Sequence, residues 1–468
     1  MAIRETLSLA PGLSLAHTAD GRRAVTGRLS LILPPVSPGV TAVLDALAAG
    51  GQTLDELAEL AGHGGLTDAA HFHSLLAALR AHGAVARSLH LDGVLIARLS
   101  PEGTVSNRGS PRADARYQLS RFAFSRRVDE GSMLETPLSL SRVWMPTWHG
   151  PALLGALSTS RNSVEFAKVI PGIPGELTSV FLRMLLEAGV LVEVGAEGAP
   201  IEPEALVPWE FHDLLFHGWT RWGRHETGYG GATFRFRGKR PQPGRKPPPS
   251  GEPLRLERPD LSAVVQRDAP FTEVLERRRT VRNQGERPVT RAALGELLYR
   301  AVGLRHADLA DRDQKEARPY PSGGAIYETE VYVLVHRCEG LEPGLYAYRL
   351  EEHALYRVQA RPEQLERMLK LAAAGMIRTV YPQVVVVLTA CFERMTWKYE
   401  TMAYAAMLKH VGVIFQTLYL VATAMGLAPC ALGSGAADLF ARATGIDPLV
   451  EGSVGEFALG TRADAVSP

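Results

Sequence analysis

Cysteine is scarce in this sequence: Cys338, Cys391 and Cys430 are the only three, far apart and each in apolar surroundings. Such spacing excludes a disulfide framework and a cysteine zinc site, and fits thiols kept reduced in a cytoplasmic protein. An excess of one charge is lacking too. Lys and Arg number 51 against 50 Asp and Glu, a net charge of +1. Nothing in that balance calls for nucleic acid or an acidic membrane as partner. The opening residues, Met1 to Thr6, carry no apolar signal-peptide core. No Gly-x-Gly-x-x-Gly precedes a helical pattern, so the nicotinamide fingerprint is missing. Three histidines do cluster, His212, His217 and His225, but their spacings of five and eight put them on no common helical face. No metal is expected there.

What is present is an ordinary soluble composition, 46% hydrophobic and 22% charged over 468 residues, enough for two to four domains. One stretch stands out. Over 401–426, Tyr404, Met407, Leu408, Val411, Ile414, Phe415, Leu418 and Val421 recur at three- and four-residue steps, the helical period. Only Lys409 and His410 interrupt a circumference that is otherwise nearly all apolar. Such a helix spans a bilayer or forms the centre of a core or dimer. A lone mid-helix Lys costs roughly 2.5–3.5 kcal/mol in a bilayer, which favours the buried soluble helix. Just before it stands Lys398-Tyr399. A Lys-Tyr pair at the mouth of an apolar helix can do acid–base chemistry, with the ammonium lowering the phenol pKa. The plainer reading is a surface Lys beside a packing Tyr.

Taken in order, the chain first reads as helices. Ser37-Pro38 caps one that Gly50-Gly51 stops, Thr53 and Glu56 form a capping box for a second, and a third runs over 67–82. Two β-prone runs follow around Asp92-Gly93, the turn a type I′ hairpin needs. Three helices and a β-wing describe a winged helix. A weak echo of the third helix and its glycine recurs around 181–191, so a second unit of the same kind is expected. The candidate recognition helices are poor in Lys and Arg, which argues against DNA and for peptide binding by strand addition, with a purely structural role as the alternative. The aromatic run from Trp209 to His225 reads as a docking segment, and 237–249 as an extended linker rich in Pro and basic residues. Beyond it, helices interleave with strands around a small mixed sheet. The expected organisation is therefore α+β: winged-helix-like domains at 1–110 and 111–208, docking segment and linker at 209–254, and a further α+β domain at 255–468.

Four constellations lie in that last domain. Arg278, Arg279, Thr280 and Arg282 end a helix, and guanidinium forks with a hydroxyl suit a phosphate monoester, although a solvated helix end looks the same. Pro321-Ser322-Gly323-Gly324 precedes a strand, and its glycines let backbone approach a planar ligand or simply make a turn. Leu432-Gly433-Ser434 follows the long helix. Lys398-Tyr399 is the fourth. Their order resembles the nitroreductase-like flavin enzymes. That resemblance implies FMN, with Arg278, Thr280, Arg282 and plausibly Arg279 on its phosphate and Arg462 as a second phosphate contact. It also implies Pro321 to Gly324 against the ring and ribityl, Leu432 to Ser434 over the ring, and a homodimer built on the long helix.

Closer still is the resemblance to the SagB-type dehydrogenases, carried by Arg318 to Ala325, Pro343 to Tyr348, Phe415 to Leu420, Leu119 to Phe124 and Phe211 to His217. It implies oxidation of thiazolines and oxazolines in a ribosomally made precursor peptide to thiazoles and oxazoles. It also implies a cyclodehydratase as possible partner, and Lys398 and Tyr399 as the catalytic pair, either one being the base. Dioxygen is then the expected oxidant of the reduced flavin. An NAD(P)H-dependent nitro- or quinone reductase with an N-terminal extension is the alternative, and a non-catalytic winged-helix scaffold a third.

Overall fold

The computed structural model describes the chain apart from residues 19–22, 28, 64, 102–110, 223–227, 248, 308–315 and 464–468. His225 and the expected boundary at 110 fall outside the described residues. The chain forms two compact units, Met1–Arg224 and His225–Pro468.

In the first unit the local signals act as expected. Ser37 accepts from the Val40 N–H at the start of Pro38–Ala49, and Thr53 and Glu56 close the capping box of Leu54–Gly62. Asp92 and Gly93, both at positive φ, turn Val85–Leu91 back along Val94–Ser100. The echoed segment is a helix, Gly175–Ala188, broken by left-handed Gly189 and followed by Leu191–Val194. Two independent domains do not result. One six-stranded sheet runs in the order Ile3–Leu9, Val85–Leu91, Val94–Ser100, Arg142–Met145, Gly131–Glu135, Phe124–Val128, and so joins strands from both halves. Arg87 reinforces the join by pairing with Glu5 and with Glu187. The division at 110/111 is thus replaced by a single unit, because the wing of the first half pairs onward into the second. Arg183, the one basic residue of the second helix over 178–188, is itself ion-paired to Glu5.

The second unit is α+β. Its sheet has seven strands in the order Leu254–Arg255, Ala354–Val358, Gly344–Arg349, Thr329–Val335, Val384–Cys391, Glu451–Thr461, Leu427–Leu432. Every neighbouring pair is antiparallel, so the expected mixed sheet is corrected. The error has a physical source. Val384–Cys391 is a continuous apolar run because helices cover both faces, and that texture is the usual mark of a parallel strand. Val384, Val386 and Leu388 face the long helix Ala403–Ala424, while Val385 and Val387 face Pro362–Gly375 and Ala437–Thr444. The long helix buries Val411, Ile414, Leu418 and Ala422 against the sheet and against Leu294, Leu297 and Leu298 of Arg291–Val302. Truncating the fully buried Ile414 to Ala should cost about 2–5 kcal/mol.

Not all of that helix is covered. Tyr404, Leu408 and Val413 are exposed on its outer side. It is long and apolar enough to cross a membrane by composition, yet its inner side is sheet core. The expected linker is also more than a spacer. Arg245 pairs with Glu316 and Glu351, and Lys246 pairs with Glu451 at 2.5 Å and donates to the Tyr332 hydroxyl. Its basic residues, which looked solvated in sequence, dock it along the second unit.

Candidate functional site

Lys398 ends the short helix Phe392–Lys398, and Tyr399–Glu400 then pairs antiparallel with Gly230–Gly231. The pairing, with Thr233 N–H donating to the Lys398 carbonyl at 3.2 Å, fixes the backbone at both residues. Thr401, at φ 66°, then turns the chain into the long helix. The two side chains converge on the Ser322-Gly323-Gly324 loop. Lys398 Nζ donates to the Gly324 carbonyl at 3.4 Å. A methyl group built on Gly324 would stand 2.7 Å from Lys398 Nζ, and one on Gly323 would stand 3.1 Å from Tyr399 Oη. The absent side chains are therefore what admit the pair.

The loop is strongly constrained. Gly324, Ala325 and Tyr327 all have positive φ, a costly conformation for the two that carry a Cβ. Ser322 Oγ accepts from the Tyr327 N–H at 3.1 Å and donates to Glu328 at 3.4 Å. Gly323 N–H donates to His410 Nε2 at 2.9 Å, and His410 Nδ1 lies 2.8 Å from Glu328 Oε1. Beneath it Arg318, fully buried, binds Glu316, the Tyr320 hydroxyl and the carbonyls of Thr329 and Tyr327. A small cleft opens beside Lys398, lined by Phe234, Arg245, Ile326, Arg394 and Trp397 among others.

Lys398 does not lower the Tyr399 pKa, as the sequence suggested. Burial raises it above the ordinary phenol value, and the negative charge of Glu328 adds to the rise. The ammonium points to the Gly324 carbonyl rather than to the phenol.

The basic cluster forms a second station, nine residues further along the long helix. Arg278 lies over the Tyr419 ring at 5.4 Å, Thr280 Oγ1 is 2.9 Å from Tyr419 Oη, and Val281 N–H donates to the Pro429 carbonyl. Arg462 arrives beside Gln284 through an isolated bridge and donates to the Leu427 carbonyl. Arg279 donates to the carbonyls of Glu276 and Arg278. Among the described residues, none of Arg278, Arg279, Arg282 and Arg462 has a carboxylate within ion-pair distance, whereas Arg277 pairs with Glu273. The uncompensated guanidinium groups of Arg278 and Arg462 with the Thr280 hydroxyl, and Arg279 and Arg282 adjacent in sequence, are a donor set suited to a phosphate dianion.

Leu432-Gly433-Ser434 is a third station. Leu432 ends its strand opposite Glu456, whose buried carboxyl has a raised pKa: burial pushes it up, against hydrogen bonds from Ser453 and the Ala436 N–H. The structure thus gathers Lys398, Tyr399, Gly323 and Gly324 closely, and Arg278, Thr280 and Arg462 around the start of the Leu427–Leu432 strand. Nothing among the described contacts joins Leu432 to Ser434 with either group.

Three residues of these stations were not singled out by sequence: Glu328, His410 and Tyr419. His410 carried a signal, being one of the two residues, with Lys409, that interrupt an apolar helix. Tyr419 lay within the Phe415 to Leu420 resemblance without a role assigned to it, and Glu328 carried no signal, since each owes its role to partners more than 80 residues away.

Comparison with known proteins bears on both units. Residues 117–226 match the family model described as cyanobactin oxidase ThcOx, and residues 275–461 match the nitroreductase family. The nitroreductase candidate MJ1384 of Methanocaldococcus jannaschii is 30% identical over 184 residues, covering 39% of this chain and 86% of that protein. Among solved structures, a nitroreductase candidate from Anabaena variabilis is 23% identical with a TM-score of 0.38, over 54% of this chain and 47% of its own. This chain therefore spans about half the length of that one. The microcin synthetase McbBCD complex of E. coli, with truncated pro-MccB17 bound, contains a chain 24% identical with a TM-score of 0.33, over 39% of this chain and 69% of its own.

Proposed function

The chain belongs to the nitroreductase family, and from that premise we propose that it is an FMN-dependent dehydrogenase that oxidises azoline rings in a ribosomally made peptide to azoles. The observation that carries the reading is the convergence of Lys398 and Tyr399 on Gly324 and Gly323, beside an open cleft. The match of residues 117–226 to the cyanobactin oxidase model supports the peptide substrate. Arg278, Thr280, Arg282 and Arg462, with Arg279 alongside, would hold the FMN phosphate. The Pro321 to Gly324 loop and Leu432 to Ser434 would border its ring. When bound, FMN supplies the two-electron acceptor, and dioxygen is the oxidant this reading assigns to restore it.

Aromatising an azoline also removes a proton from carbon, and that is the chain's own task. Tyr399, whose raised pKa keeps it a phenol near neutral pH, is suited to donate a hydrogen bond to the substrate. Lys398 is then the group this reading assigns to take the proton. Removing either group should slow turnover by roughly 10²–10⁴-fold. The test is loss of two hydrogens from an azoline peptide, followed by mass spectrometry. If K398A and Y399F proteins, still yellow with FMN, match the wild-type rate, the assignment is wrong.

A homodimer packed through the long helix is the reading given to its exposed apolar residues Tyr404, Leu408 and Val413, and a monomer that retains FMN would count against it. No side chain of helix Phe211–Trp219 is fully buried, and Trp222 beyond it is 77% exposed, which supports reading this stretch as a docking segment. The name of the MJ1384 relative favours a second reading, an NAD(P)H-dependent reductase. Rapid bleaching of the flavin by NADPH alone would select it.

A further inference from the structure

His410 turns inward from the long helix, and its two nitrogens have different partners. Gly323 N–H is a backbone donor, so the Nε2 it reaches at 2.9 Å must be bare. Nδ1, 2.8 Å from a Glu328 oxygen, must then carry the ring proton and donate it. A doubly protonated ring would set one N–H against another. A protonated Glu328 donating to Nδ1 would force the proton onto Nε2, with the same clash. The Nδ1–H form of His410 satisfies both partners of the ring, with a Glu328 oxygen accepting.

Glu328 is 1% exposed and holds both ends of the loop. One oxygen takes His410, the other takes the Ser322 hydroxyl, and Ser322 in turn receives the Tyr327 N–H. The loop so tied contains three residues at positive φ, a shape that would relax without such ties. Its two glycines are the surface that Tyr399 and Lys398 close on. We propose that Glu328 and His410 are a positioning pair: through the Gly323 N–H they hold the Gly323-Gly324 turn in the one shape that admits Lys398 and Tyr399. Neither touches the reacting atoms.

The kinetic arm of the test rests on the azoline-oxidation reading, and the other two arms do not. Histidine-selective ¹⁵N spectra of the full chain should show His410 with a bare Nε2 and a protonated Nδ1. Hydrogen–deuterium exchange over 319–327 should show a protected Gly323 amide. H410Q places its amide oxygen near the Nε2 position and should keep that protection. H410N can reach Glu328 but not Gly323, and should lose it. With an azoline peptide, H410N should fall in kcat by roughly 10²-fold, the scale of a small misplacement of catalytic groups. Its KM should move little, and H410Q should recover most of the rate. A residue needed only for packing would rank its variants by volume, with H410L best. Equal Gly323 exchange in wild type and H410N, or a protonated Nε2, overturns the proposal. A wild-type enzyme that leaves azolines untouched sinks the function instead, while exchange and spectra still decide the positioning pair.

Discussion

The Lys398 ammonium reaches the Gly324 carbonyl at 3.4 Å and fills the space a methyl group on Gly324 would need. Gly324 also sits at φ 61°, in the left-handed region. Gly324→Ala should therefore cost twice. The backbone contributes about 1–2 kcal/mol, read as a fall of roughly 2–8 °C in melting temperature. The methyl group also displaces Lys398, so activity should drop further than stability. Gly323→Ala, free of the φ penalty, should press only on Tyr399 and leave the melting temperature nearly unchanged. Thermal melts beside rate measurements check both; equal melts for the two variants would contradict the left-handed argument.

The unpaired arginines give a separable expectation. A charged hydrogen bond contributes about 1.5–3 kcal/mol, so Arg278→Ala or Arg282→Ala should weaken FMN binding roughly 10- to 150-fold. Fold stability should hold, because neither side chain has a protein carboxylate to leave behind. Arg277→Ala breaks only an exposed pair with Glu273 and should leave flavin affinity alone. Titration of apoprotein by flavin fluorescence separates these cases.

Acid sensitivity should originate at Glu330. Burial alone would raise its pKa, but Arg394, Arg318 and Arg349 outweigh burial and hold it below the ordinary carboxylate value. A depressed folded pKa means that the stabilisation is present above the unfolded value, near 4.5, and is lost as pH falls through the folded one. Glu456 has the opposite sign. Its folded pKa is raised, so its contribution is present below about 4.5 and fades as pH rises through the folded value. Denaturant midpoints against pH should thus lose their steepest acid limb in Glu330→Gln and gain slightly on the neutral side in Glu456→Gln. Leaving Arg394 buried without a partner should cost Glu330→Ala about 3–5 kcal/mol.

The thiols should be inert. Burial pushes Cys338 up to about 11 and Cys391 up to about 12, and raises Cys430 as well. At pH 7.5 the thiolate that reacts is nearly absent. Iodoacetamide should label none of the three until urea opens the chain; rapid native labelling of Cys391 would contradict the burial argument.

Much of this molecule was legible because its signals are local. Ser37, the Thr53–Glu56 box, Asp92-Gly93 and the period of the long helix each specify structure within a few residues. Sheet direction was not, since a strand covered on both faces reads alike whether its neighbours run with it or against it. Nor was the single N-terminal unit, which depends on Val94–Ser100 pairing with Arg142–Met145. The site divided the same way. Lys398, Tyr399 and the two glycines could be named from sequence order. The bond from Gly323 to His410 spans 87 residues, and no spacing rule anticipates it.

The ribbon that holds the pair has its own consequence. Tyr399 and Glu400 are joined to Gly230 and Gly231 by a two-residue ladder, while the sheet behind them is seven strands wide. Opening free energy scales with the contacts broken, so this ribbon is among the first segments to part from the native state, well below global unfolding. Opening it would uncover Tyr399 beside the Gly323-Gly324 loop while the seven-stranded sheet stays folded.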